Sequence, residues 1–157
     1  MLTRWNAFAR VFSRIGGLRD EAGQSMVELA LLLPLLVFGL IGGADLARAY
    51  ALQLAVQNGA RAGAEAYAID QAKNQAQAIQ RARDEMSRTP GMNAASATVT
   101  VSIKDTNGDD CTVSPPTVAD PCFVTVRVRY TFQTIVPWPL VPNTANFDRN
   151  TSMRLFY

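Results

Sequence analysis

Glu28 stands five residues after Gly23 and directly before sixteen uncharged positions, residues 29–44. A carboxylate deep in a bilayer costs on the order of 3 kcal/mol on insertion scales, so something should compensate it. A position at headgroup level is one answer. The spacing offers another. A cut after Gly23 would make Gln24 the first residue and Glu28 the fifth, placing a new α-amine and a carboxylate at one end of an apolar helix. In a bundle of such helices staggered along an axis, the amine of one copy neutralises the carboxylate of the next in a low-dielectric setting.

The other residues with chemical potential are fewer. Cys111 and Cys122 enclose ten residues, including Pro115, Pro116 and Pro121. A disulfide closing a loop of that size stabilises by roughly 2–3 kcal/mol. A metal pair is the weaker alternative, because the chain has no histidine and no CxxC. Residues 105–110, Asp-Thr-Asn-Gly-Asp-Asp, superficially resemble a calcium loop, but the glycine is misplaced and Pro116 stands where a bidentate glutamate belongs. An acidic Asn-Gly turn at a strand end is the favoured reading, so neither a metal nor a cofactor is expected. Catalysis finds no support either: histidine, a Gly-rich phosphate loop and a GxSxG elbow are all missing from the sequence.

Several elements must position these residues. Taken as one helix, residues 24–44 would measure about 31 Å at 1.5 Å per residue, enough for a bilayer core. Before them lie Arg4, Arg10, Arg14 and Arg19 against Asp20 and Glu21, a basic flank of the kind that stays cytoplasmic. Trp5, Phe8, Phe12 and Ile15 recur at helical spacing there, which suits either a short helix on the inner membrane surface or a disordered leader. Beyond residue 23 the chain holds eleven basic and eleven acidic residues, so no basic stripe for nucleic acid exists. Pro34 should kink the apolar helix. Gly39 with Gly43, and Gly59 with Gly63, stand four apart and would admit close neighbours.

Residues 45–91 read as an amphipathic helix, with Ala68, Ala72, Ile79, Ala82 and Met86 on one face. Arg61 with Glu65, Arg81 with Glu85 and Asp84 with Arg88 are spaced for surface pairing. Thr89-Pro90-Gly91 ends the helix, and a further break near Asn58-Gly59 is compatible with the sequence. Within residues 92–157 the period becomes two. Val99, Val101 and Ile103 mark one strand; Val124, Val126, Val128, Tyr130 and Phe132 mark a longer one over residues 123–133; a third is expected over residues 151–157. Between the last two, Pro137-Trp138-Pro139 and Pro142 impose an extended connection. The expected fold is α+β: a long N-terminal transmembrane and amphipathic helix packed on a small antiparallel sheet, pilin-like in plan.

The stretch AGQSMVELALLLPLLVFGL resembles the processing site of type IV pilin-like proteins, and the longer GQSMVELALLLPLLVFGLIGGADLARAY, with QNGARAGAEAY and the ending TSMRLFY, resembles TadE-like pseudopilins of tight-adherence (Flp) pili. The resemblance implies that a prepilin peptidase cuts after Gly23, that Gln24 becomes the new N-terminus and that Glu28 is the assembly carboxylate. It implies other pilin or pseudopilin subunits and an inner-membrane assembly platform as partners, with residues 1–23 a cytoplasmic leader and the C-terminal domain periplasmic. Gln24 replaces the aromatic residue that is N-methylated in many pilins, and Leu29 replaces the tyrosine of the short major subunit. A minor subunit is therefore favoured. The competing reading is an exported binding or adhesion domain with an ordinary signal sequence, since Gly42 and Ala44 are small residues where a signal peptidase prefers them. Glu28 has no evident role in such a signal.

Overall fold

The computed structural model describes residues 21–111, 116–138 and 142–156. The expected leader helix around Trp5, Phe8, Phe12 and Ile15 lies outside them, as do Pro115, Pro139 and Tyr157. The elements follow in the order α1 (Glu21–Ala68), α2 (Gln75–Ser87), a short 3-10 turn (Ala94–Ser96), β1 (Thr98–Lys104), β2 (Phe123–Gln133) and β3 (Thr144–Arg154). Two compact units divide the chain between Gly43 and Ala44.

In the first unit, α1 continues through Pro34, which removes one ladder bond without ending the helix. The large apolar side chains between Met26 and Leu40 are exposed within the chain itself, from 48% at Val37 to 78% at Leu40. A helix apolar all round needs an apolar surrounding. By length and composition α1 is capable of crossing a membrane, and it fits a single-pass anchor.

In the second unit, the rest of α1 buries one narrow face made of Leu52, Ala55, Val56, Ala60, Ala64 and Ala68. Small side chains allow close packing, and the two glycines on this stretch show how close. A Cβ at Gly59 would lie 2.5 Å from Met86 Cγ and 2.9 Å from the Ala82 carbonyl oxygen; at Gly63 it would lie 3.0 Å from the Ala78 carbonyl oxygen and 3.3 Å from Val126 Cγ1. Hence the helix does not break near Asn58-Gly59: Gly59 is a packing position there. At Gly39 and Gly43 a Cβ would meet nothing within 4 Å, so the close approach expected at both glycine pairs occurs within the chain only at the second.

The break falls instead at residues 69–74. Asp70 adopts φ 59°, a left-handed conformation that aspartate tolerates better than most residues. The Ala72 N–H then turns back to the Ala66 carbonyl at 2.8 Å. Asn74 caps α2, its Oδ1 accepting from Gln77 N at 2.9 Å, while Gln77 Oε1 accepts from Lys73 N at 2.7 Å. This reciprocal arrangement is a variant of the capping box. The helix buries Ala78, Ala82 and Met86 and ends as expected before Thr89-Pro90-Gly91, where Gly91 takes φ 79°. In place of the expected Asp84–Arg88 pair, Arg88 reaches Glu85 at 3.0 Å, and Asp84 accepts from Gln80 Nε2 at 2.7 Å.

The sheet is antiparallel with β2 central, in the order β1-β2-β3. Val99, Val101 and Ile103 face Val128, Val126 and Val124 across the first ladder. Val124, Val126 and Val128 are fully buried and join Val56, Ala60, Ala64, Ala82 and Met86 in one core. The fold is α+β, with helix covering one face of a three-stranded sheet. The opposite face is polar: Arg127 Nε donates to Asp148 Oδ1 at 2.7 Å, and Arg129 Nε reaches Asp148 Oδ2 at 3.2 Å. The Arg127 hydrogen bonds hold the Asp148 carboxyl below its ordinary range. A disulfide joins Cys111 to Cys122, with Cα atoms 5.9 Å apart.

The third strand differs from expectation. It begins at Thr144 rather than at residue 151 and ends at Arg154. Opposite the buried Val124, Val126, Val128 and Phe132 of β2 it places Met153, Thr151, Arg149 and Ala145, so this edge strand carries little apolar alternation.

Gly63→Leu should overpack the seam between the helices and Val126 and destabilise the domain by about 1–3 kcal/mol. Thermal unfolding of the detergent-solubilised protein by near-ultraviolet circular dichroism checks this, with Gly43→Leu expected to leave the transition in place.

Candidate functional site

At the start of α1, Gly23 lies inside the helical stretch, and a Cβ there would meet nothing within 4 Å. Gln24 Nε2 donates to Glu28 Oε1 at 2.9 Å, one helical turn apart on an exposed face. The geometry thus keeps the first mature residue of the expected cut and the expected assembly carboxylate on one side of the helix. Gly23, being glycine, weakens that first turn relative to alanine by roughly 0.5–1 kcal/mol.

Cys111 and Cys122 belong to the second unit, at the ends of the loop before β2. In the neighbouring acidic turn, the Asp105 carboxylate accepts from the backbone N–H groups of Asn107 and Asp109 at 2.8 and 2.9 Å. Burial pushes its pKa up, but these backbone donors prevail and hold it below the ordinary value. Gly108 supplies φ 89°, and Lys104 Nζ pairs with Asp110 Oδ1 at 2.7 Å. These contacts make the segment a closed Asx turn, with the Asp105 side chain spent on its own backbone.

A further group was not anticipated from the sequence. Asp45, 4% exposed, is the buried charged side chain of the described residues. Its Oδ1 accepts from Ile135 N at 3.1 Å and from Arg48 Nη1 at 3.1 Å, and its Oδ2 accepts from Trp138 Nε1 at 3.3 Å. Arg48 lies over the Phe132 ring, 5.6 Å from its centroid. The connection from β2 to β3 is closed on itself as well: Thr134 N donates to the Asn143 carbonyl at 3.0 Å, and Trp138 N to Asn143 Oδ1 at 2.5 Å. Asp45 is therefore the peg on which the proline-rich connection hangs. The available signal was its place as the first charge after the uncharged run, together with a tryptophan N–H needing a partner.

Asp45→Ala should free the Ile135 N–H and raise its hydrogen exchange by roughly tenfold or more through local opening. Amides of Val124, Val126 and Val128 should keep their protection in the same mass-spectrometric or NMR experiment. Equal loss at both places would mean that Asp45 supports the whole domain rather than the connection.

No curated protein and no solved structure matches the chain. A family model does, across the helix that carries Gly23, Glu28, Asp45, Gly59 and Gly63. Residues 23–65, a little over a quarter of the chain, are similar to the family described as TadE-like protein.

Proposed function

We propose that the chain is a minor, TadE-like pilin subunit of the tight-adherence pilus. Residues 24–44 anchor it in the bacterial inner membrane, with the N-terminus cytoplasmic and the sheet domain outside. A prepilin peptidase cuts after Gly23, and Glu28 then pairs with the α-amine of a neighbouring subunit as the chain joins an assembly platform or pilus. The observation that carries this reading is the family match over residues 23–65, which suggests a pilus-associated, minor pilin-like protein.

The physical chemistry supports the finer steps. A peptidase acts on extended backbone, and Gly23 lowers the cost of unwinding the turn that holds the scissile bond. The exposed apolar side chains between Met26 and Leu40 need lipid or other helices around them. A new amine and Glu28 at the same end of such helices supply opposite charges where the dielectric is low. Leu29 and the folded sheet domain favour a minor role over that of the bulk filament subunit. The family is structural rather than catalytic in character, and the role proposed is assembly.

Intact-mass and N-terminal analysis of the protein purified from membranes tests the reading. The expected mature chain begins at Gln24. A chain beginning at Asp45 would instead support an ordinary secreted domain. In the same preparations, Glu28→Ala should leave cleavage and insertion unchanged while lowering recovery in sheared pilus fractions by roughly tenfold or more. Normal recovery of that variant would remove the amine–carboxylate pairing from the account.

A further inference from the structure

We propose that the β2–β3 connection is a membrane-interface foot, in which Ile135 and Trp138 rest among lipid headgroups at the outer face of the bilayer. This rests on the membrane-anchored reading given above. Asp45 follows directly on the sixteen uncharged positions 29–44, and the preceding helix of about 31 Å uses up the roughly 30 Å hydrocarbon core. Its carboxylate therefore stands at the outer boundary of that core, in an interfacial layer about 5–8 Å deep.

The connection is fastened at that level. Ile135 N and Trp138 Nε1 both donate to Asp45, at 3.1 and 3.3 Å. Chain continuity with Ala44 on one side, and these two bonds on the other, fix residues 135 and 138 within a few ångströms of the boundary. What the connection offers there is apolar. Ile135 is 65% exposed although its own N–H is satisfied, and Trp138 is half-buried with its indole N–H turned to Asp45. Pro137 adds apolar surface without a backbone donor needing a partner. Tryptophan is the residue most suited to such a layer, having a large apolar body and one polar edge. Arg48, salt-bridged to Asp45, keeps the site close to neutral, so insertion of the connection into the headgroup layer brings in no unpaired charge.

The test uses the full chain in phosphatidylcholine–phosphatidylglycerol vesicles with Trp5→Phe, which leaves Trp138 as the only tryptophan. Quenching by lipids brominated along the acyl chain should reduce Trp138 emission at least about twofold, more strongly for bromines near the headgroup than near the bilayer centre. Aqueous acrylamide should quench it weakly. The control carries Phe38→Trp with Trp5→Phe and Trp138→Phe, and reports insertion of the apolar run itself. Phe38→Trp quenched by bromolipid, with Trp138 unquenched and open to acrylamide, would overturn the foot while leaving the anchor intact. If neither reporter is quenched, the membrane reading fails and the foot fails with it. Protection of Trp138 from both quenchers would also overturn it, by showing a protein partner in place of lipid.

Discussion

A charge that follows sixteen uncharged helical residues must either reach water or find donors, and Asp45 finds donors. Backbone Ile135, the Trp138 indole and Arg48 surround a carboxylate that is 4% exposed. In low-dielectric surroundings such a group would be costly if unpaired, and each donor makes burial tolerable. The consequence is architectural. Where α1 stops being apolar all round, the connection that follows β2 is tied to it through Asp45.

From that point α1 needs only one sticky face. Alanines and glycines supply it, because their small side chains bring the helix backbone close to Val126 and to the second helix. The bulk of the core comes from elsewhere: Val124, Val126 and Val128 of the central strand and Met86 of α2. A thin helix face against a branched sheet face gives dense packing without large residues on α1. Beyond residue 54, Val56 is the one buried side chain of α1 larger than alanine. The clip from Cys111 to Cys122 then fixes the entry of β2, next to Cys122 and Leu155 in the core.

Much of this was legible in the residues. The alternation of β2 is clean because both its neighbours pair with it and Val124, Val126, Val128 and Phe132 on one of its faces are buried, so every second residue must be apolar. The edge strand β3 was hidden because Arg149 and Thr151 occupy inward register positions near the uncovered margin. The turn at residues 69–74 was hidden for another reason. Alanines continue helical spacing on both sides, and the decision to turn rests on a left-handed Asp70 and the Asn74–Gln77 cap, which are local preferences weaker than the periodicity around them. Asp45 escaped because a lone aspartate after an apolar run looks like the ordinary start of a solvated segment. Only the fold brings residues 135 and 138 to it. At the helix start the reverse holds: Gly23, Gln24 and Glu28 are conspicuous in the sequence, and one exposed hydrogen bond is what the fold adds to them.

For a membrane-anchored chain, α1 must change its surroundings at the step from Ala44 to Asp45. Nitroxides placed one at a time at the exposed positions 33, 36, 40, 43, 47, 50 and 54, in the protein reconstituted in bilayers, measure this directly. The ratio of collisions with oxygen to collisions with a water-soluble nickel chelate should be high through residue 43 and fall steeply between residues 43 and 50. A flat profile along these positions, or a fall well before residue 40, would contradict the account.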